Sequence, residues 1–158
     1  MSESELLHKA AAYCSLAEHC TSEVAEKLSG WGASADVSKR ILKRLTDERF
    51  IDESRYAKAF SKDKFRFSKW GKVKIRFTLQ QKRVDKELIE AALDDLEDET
   101  YLENLREILI QKRKSIKETD AHSIKAKLFR FASSRGYEPN AIFSALSTIV
   151  KHDSDDLE

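Results

Sequence analysis

The sequence repeats itself, and that repetition limits the fold more than any single motif. Leu42, Leu93 and Leu146 stand 51 and 53 residues apart, and matching neighbours surround each of them. Three residues on lie Leu45, Leu96 and Ile149. Nine back lie Ala33, Val84 and Tyr137, and ten back lie Gly32, Arg83 and Gly136. An amphipathic run containing Leu28, Leu79 or Ala132 precedes each of these turns. A period of about 50 residues marks a supersecondary unit too small to bury its apolar face alone, so neighbouring copies must stack. The expected fold is all-α: three tandem three-helix repeat modules at 1–51, 52–99 and 100–151, forming an elongated array with room to curve. The acidic tail at 152–158 is expected to be disordered.

Composition supports helices. Four Gly and one Pro in 158 residues leave long uninterrupted runs, which suit helices better than a loop-rich β fold. Apolar residues recur at helical spacing, as in Leu6, Ala10, Tyr13 and Cys14, or Leu88, Ile89, Ala92, Leu93 and Leu96. Asp52 and Asp85 stand where helix caps belong, and Pro139 stands at a first-turn position. One segment resists. In GKVKIRFTL the residues Val73, Ile75, Phe77 and Leu79 alternate, which is the strand pattern, yet they also form two i,i+4 pairs. The flanking copies are helical and a lone strand would have no partner. The repeat therefore predicts a helix over 71–82.

Charge is segregated along the chain. Residues 64–84 hold eight Lys/Arg and no carboxylate, while 85–99 hold eight acids and one Lys, within a net charge of +1. On a helix spanning 69–83, Lys69, Lys72, Arg76 and Arg83 fall at i, i+3, i+7 and i+14. They lie within about 60° of one another, a basic stripe, while Lys74 and Lys82 point elsewhere. Lys64 and Arg66 extend it on the N-terminal side. Such a stripe attracts a phosphate backbone or an acidic protein groove; it would equally serve solubility and pairing with the acidic segment that follows. Phe65 and Phe67 interleave with Lys64, Arg66 and Lys69, a pattern able to follow a single nucleic-acid strand. Tyr56 and Phe60, one turn apart, read as core, and Trp31 and Trp70 read as packing between helices.

Catalytic signatures are missing. The chain has no P-loop, no G-x-G-x-x-G and no nucleophile elbow, so it reads as a binding protein without enzymatic activity and without a cofactor. Cys14 and Cys20, with His8 and His19 nearby, match no common zinc spacing and are expected to be reduced and half-buried, so no metal site is expected. No window approaches a membrane span, and MSESELLHKA lacks the order of a signal peptide. A monomeric, cytoplasmic protein is the expectation.

The stretch FIDESRYAKAF (50–60), the basic run KWGKVKIRFTLQQKRV (69–84) and the stripe IEAAL (89–93) together resemble the RecX family of bacterial recombination regulators. The matching positions are Phe50, Ile51, Asp52, Glu53, Arg55, Tyr56, Ala57, Phe60, Lys69, Gly71, Ile75, Leu79, Lys82 and Val84. The resemblance is densest over 42–96 and looser over about 10–150. It implies tandem three-helix repeats and a non-catalytic role in recombination, DNA repair and the SOS response. It also implies a partner, the RecA recombinase as monomer or filament, whose strand exchange, ATP hydrolysis and coprotease activity it inhibits. Binding to single- or double-stranded DNA without sequence specificity is implied as well, and a DNA-binding helical-repeat module is the alternative function. One departure falls at Arg83, where the family usually carries Gly. A non-Gly residue at positive φ costs about 1 kcal/mol, so a turn of different shape is expected there.

Overall fold

The structure, a computed structural model, describes residues 1–156 and the side chains of 1–150. The tail read as disordered lies outside the residues whose side chains are described. In chain order the helices are α1 (Glu3–Leu16), α2 (Thr21–Gly30), α3 (Ala35–Asp47), α4 (Glu53–Arg66), α5 (Lys72–Gln81), α6 (Lys86–Asp94), α7 (Asp98–Arg113), α8 (Ala121–Ser134) and α9 (Pro139–Asp156). No strand occurs among the described residues, so the expected all-α fold is the fold observed. Contacts gather the chain into two compact units, Met1–Phe60 with Leu79–Ala92, and Ser61–Thr78 with Leu93–Glu158.

In the first unit, α1 contributes Leu6, Ala10 and Cys14 to the core, at the i,i+4 spacing that keeps one helical face inward. Val24 and Leu28 of α2, Ile41 and Leu45 of α3, and Ile51 complete it. The Ser34 hydroxyl caps α3 by accepting from the Val37 amide at 3.2 Å. Asp52 caps α4 in the same way, its carboxylate accepting from the Arg55 amide at 2.9 Å. Trp31 packs edge-on against Tyr13, and the Tyr56 and Phe60 rings lie 5.8 Å apart, so these aromatics do the packing expected of them. Cys14 and Cys20 are free thiols, buried rather than half-buried, and burial pushes both thiol pKa values up.

The second helix of each repeat ends in one recurring turn. The amide of Ala33 donates to the Leu28 carbonyl at 3.0 Å, that of Val84 to Leu79 at 3.2 Å, and that of Tyr137 to Ala132 at 3.2 Å. These are Schellman closures, which need a left-handed residue between donor and helix. The residues supplying it are Gly32 (φ 89), Arg83 (φ 63) and Gly136 (φ 94), the three that the repeat aligns. The altered turn expected at Arg83 is therefore absent: the arginine adopts the glycine-like conformation and accepts the steric cost. Arg49 (φ 63) closes α3 by a similar bond, from the Phe50 amide to the Leu45 carbonyl at 2.8 Å.

The segment with strand-like alternation is helical. Ile75 and Leu79 are completely buried, while Val73 and Phe77, the intervening apolar residues, face solvent. The bounds of this helix agree with the predicted 71–82 within one residue at each end, but it is shorter than the 69–83 on which the basic stripe was drawn. It starts at Lys72 and ends at Gln81, which leaves Lys69 before it at φ 52 and Arg83 in the turn beyond it.

Candidate functional site

The start of α5 carries no side-chain cap of its own and is held by groups of the second unit. The Gly71 amide donates to the Arg135 carbonyl at 2.7 Å, and the Val73 amide to the Gly136 carbonyl at 2.9 Å. The Lys72 amide donates to the Tyr101 hydroxyl, also at 2.9 Å. These are three of the four donors that a helix start leaves without intrahelical partners. The Tyr101 hydroxyl passes the chain on by donating to the Glu138 carboxylate. Burial and that carboxylate push the Tyr101 pKa far up, so the phenol stays a donor. Tyr137 stacks on Tyr101 at 5.0 Å and donates from its hydroxyl to the Lys69 carbonyl at 2.9 Å. Asn104, a buried polar residue of α7, donates to the Phe65 carbonyl at 3.1 Å and fixes the end of α4.

The first unit uses the same device. There the Thr21 amide at the start of α2 donates to the Glu53 carboxylate at 2.9 Å, and the Ser22 hydroxyl donates to the Lys82 carbonyl at 2.7 Å. The repeat thus extends to the joints as well as the helices.

Two ammonium groups lie over the half-buried Trp70 ring, Lys64 Nζ at 4.7 Å and Lys74 Nζ at 4.3 Å from its centroid. Such pairs hold cations over the ring face while leaving them hydrated. Beside them Val73 and Phe77, at i and i+4 on α5, are 45% and 58% exposed, and Phe67 just past α4 is 81% exposed. Arg76 stands between Val73 and Phe77 in sequence and is half-buried; Arg66 is exposed at the end of α4. The result is a surface on which apolar and basic groups alternate.

The six cations singled out from the sequence do not form one helical stripe. Only Lys72 and Arg76 lie on α5. Lys69 pairs with Glu107 at 3.2 Å and lies 3.4 Å from the Asn104 side-chain oxygen. Lys72 sits 5.1 Å over the Tyr101 ring and 3.9 Å from the exposed Asp98 carboxylate. Both ammonium groups thus have partners within the second unit. Arg83 belongs to the other unit. Phe65, suspected of following a nucleic-acid strand, is buried with its ring 6.5 Å from Tyr101; Phe67 alone of that pair is exposed. Sequence reasoning placed Lys74 off the stripe and gave Trp70 to packing between helices. Trp70 precedes α5, so no helical spacing in the sequence signals this contact. This surface carries basic and apolar side chains together.

Comparison with known proteins gives the same direction. Two family models match, one described as RecX, second three-helix domain, over residues 52–93, and one as RecX, third three-helix domain, over residues 99–146. The regulatory protein RecX of Clostridium acetobutylicum is 32% identical over 136 residues, 84% of this chain and 63% of that protein. That of Clostridium botulinum (strain Eklund 17B) is 34% identical over 117 residues, 73% of this chain and 54% of that protein. The chain thus spans somewhat over half the length of these curated relatives. Among solved structures, RecX from Lactobacillus salivarius superposes with a TM-score of 0.82 at 20% identity, covering 93% of this chain and 96% of that one. A second crystal structure of a regulatory protein RecX gives 0.84 at 18% identity, covering 90% of this chain and 72% of the other. These two likenesses show the fold. The family is shown by the two family models, which together cover more than half of the chain: the chain belongs to the RecX family of regulatory proteins.

Proposed function

We propose that this protein binds RecA, as monomer or as filament on single-stranded DNA, and inhibits its recombinase, ATPase and coprotease activities in the cytoplasm. The observation that carries this reading is the exposed pair Val73 and Phe77, set among Lys74, Arg76 and the Trp70 ring. Exposing two large apolar side chains one turn apart on a rigid helix forgoes the stabilisation their burial would bring, about 1.5–3 kcal/mol for a fully buried residue of this kind. A surface used only to neutralise phosphates needs the cations but not the apolar pair. A protein interface uses both, an apolar centre for affinity and a charged rim for orientation. This favours a protein partner over DNA alone.

The test is capture of RecA on the immobilised chain, with and without single-stranded DNA and a non-hydrolysable nucleotide. Retention of RecA, undiminished when the DNA is left out or strengthened by filament assembly, supports the proposal. Retention of DNA alone, with RecA recovered only in proportion to it, would replace the proposal with the DNA-binding module.

A further inference from the structure

Helix α8 lies in the register of α5. Its buried residues Ile124, Leu128 and Ala132 match Gly71, Ile75 and Leu79 at a constant offset of 53 residues. That offset carries Lys72 onto Lys125, Val73 onto Ala126 and Phe77 onto Arg130, so the corresponding face of α8 is basic as well. Helix α2 keeps the same register through Cys20, Val24 and Leu28, but there Thr21, Ser22 and Glu26 occupy those places. The fold itself therefore does not demand cations at these positions.

Between α8 and α9 this face opens into a groove of about 380 Å³, lined among others by Lys125, Phe129, Arg130, Phe143 and Leu146. Phe129 and Phe143 stack at 4.9 Å, and Phe143 is 61% exposed. Over residues 121–150 the chain carries four Lys/Arg and one carboxylate, Glu138, which the Tyr101 hydroxyl already engages. The groove thus has an apolar floor and a cationic rim of Lys125 and Arg130, while Lys127 of the same helix pairs with Glu118.

We infer that this groove is a second docking face, one repeat on from the α5 surface, for an acidic protein segment that presents an apolar side chain. Charge complementarity selects the acidic partner. The floor selects an apolar anchor, as in the laying of an amphipathic helix between two helices. The two phenyl rings stack on each other rather than standing in series for bases, which distinguishes the groove from a single-strand path. This inference rests on the reading that the chain acts on a protein.

The experiment compares the full chain, Lys125→Glu/Arg130→Glu, Phe143→Ser and Arg76→Glu/Phe77→Glu, all checked for unchanged helicity. Binding to RecA filaments and to a dT oligonucleotide is measured by fluorescence anisotropy. Amide NMR maps a synthetic amphipathic peptide of Glu and Leu on the wild type. Both α8–α9 variants are expected to bind filaments at least about tenfold more weakly, with dT binding unchanged and peptide-induced shifts centred on 122–130 and 143–147. Filament binding intact in both α8–α9 variants but lost in Arg76→Glu/Phe77→Glu would overturn the second face and leave the proposed function standing. Loss of dT binding alone would make the groove a nucleic-acid surface and also overturn it. A wild type that binds no RecA would overturn the proposed function, and the peptide shifts would then decide the groove: shifts there sustain it, and their absence refutes it.

Discussion

Gly71 lies so close to the backbone of Gly136 that it can hold no side chain, and Lys74 excludes one at Gly136. A Cβ on Gly71 would lie 2.3 Å from both the carbonyl carbon and the carbonyl oxygen of Gly136, and one on Gly136 would lie 2.3 Å from Cβ of Lys74. Gly32 occupies the equivalent turn in the first repeat, with nothing within 4 Å of its missing Cβ. Gly32→Ala should therefore cost only the left-handed penalty, about 1–2 kcal/mol. Gly136→Ala should cost that and about 1–3 kcal/mol more from overpacking against backbone. Urea unfolding of the two variants checks the difference, and equal losses would show that the contact can relax.

Arg83 is the converse case. It pays the steric cost of a left-handed turn that glycine fills in the third repeat, with φ 63 against 94 at Gly136. Arg83→Gly is expected to stabilise the protein by about 0.5–1 kcal/mol, the relief of strain exceeding the extra chain entropy that glycine brings. The midpoint of urea unfolding should rise without a change in its slope.

Tyr101→Phe removes the hydroxyl that accepts from the Lys72 amide and donates to Glu138. Two polar groups lose a partner at once, for a cost of about 1–3 kcal/mol. Because the loss falls at the start of α5, hydrogen exchange at the Lys72 amide should quicken more than exchange in the core of α1. Uniform quickening throughout the molecule would mean that Tyr101 supports global stability and has no special hold on the helix start.

In the first unit, pH should act through Glu23. Burial alone would raise this carboxyl, but the Cys20 amide, the Lys82 ammonium and His19 outweigh it and hold the pKa below the ordinary 4.5. A depressed folded-state pKa means that the unfolded chain binds the proton more readily. The stabilisation is therefore complete above pH 4.5 and disappears as pH falls through the folded-state value. Glu23→Gln should be less stable than wild type at neutral pH and should lose less stability on acidification. Parallel stability curves for the two proteins below neutral pH would contradict this.

Much of the fold was legible because the repeat exposes it. Aligning Gly32, Arg83 and Gly136 located three left-handed turns, and the flanking copies correctly overruled the alternation of Val73, Ile75, Phe77 and Leu79. The extent of α5 was legible to within a residue, but the contacts that hold its start were not. Its start is fixed by Arg135, Gly136 and Tyr101, far away in sequence, and no local pattern encodes such caps. The pairing of Lys69 with Glu107 and the place of Lys72 over the Tyr101 ring are equally long-range. The basic face of α8 was in plain view in 121–150 but was overlooked, because its cations are dispersed among apolar residues instead of clustered.

The proposed RecA contact is the face of α5 that carries Val73 and Phe77. Val73 and Phe77 already face solvent, so Val73→Glu/Phe77→Glu should leave helicity and unfolding nearly unchanged. The measurement is inhibition of single-stranded-DNA-dependent ATP hydrolysis by RecA, titrated with wild type and with this variant. The variant should need at least about tenfold more protein for half inhibition, as expected when apolar anchors of an interface are lost. Inhibition by the folded variant at wild-type concentrations would contradict the assignment of this face.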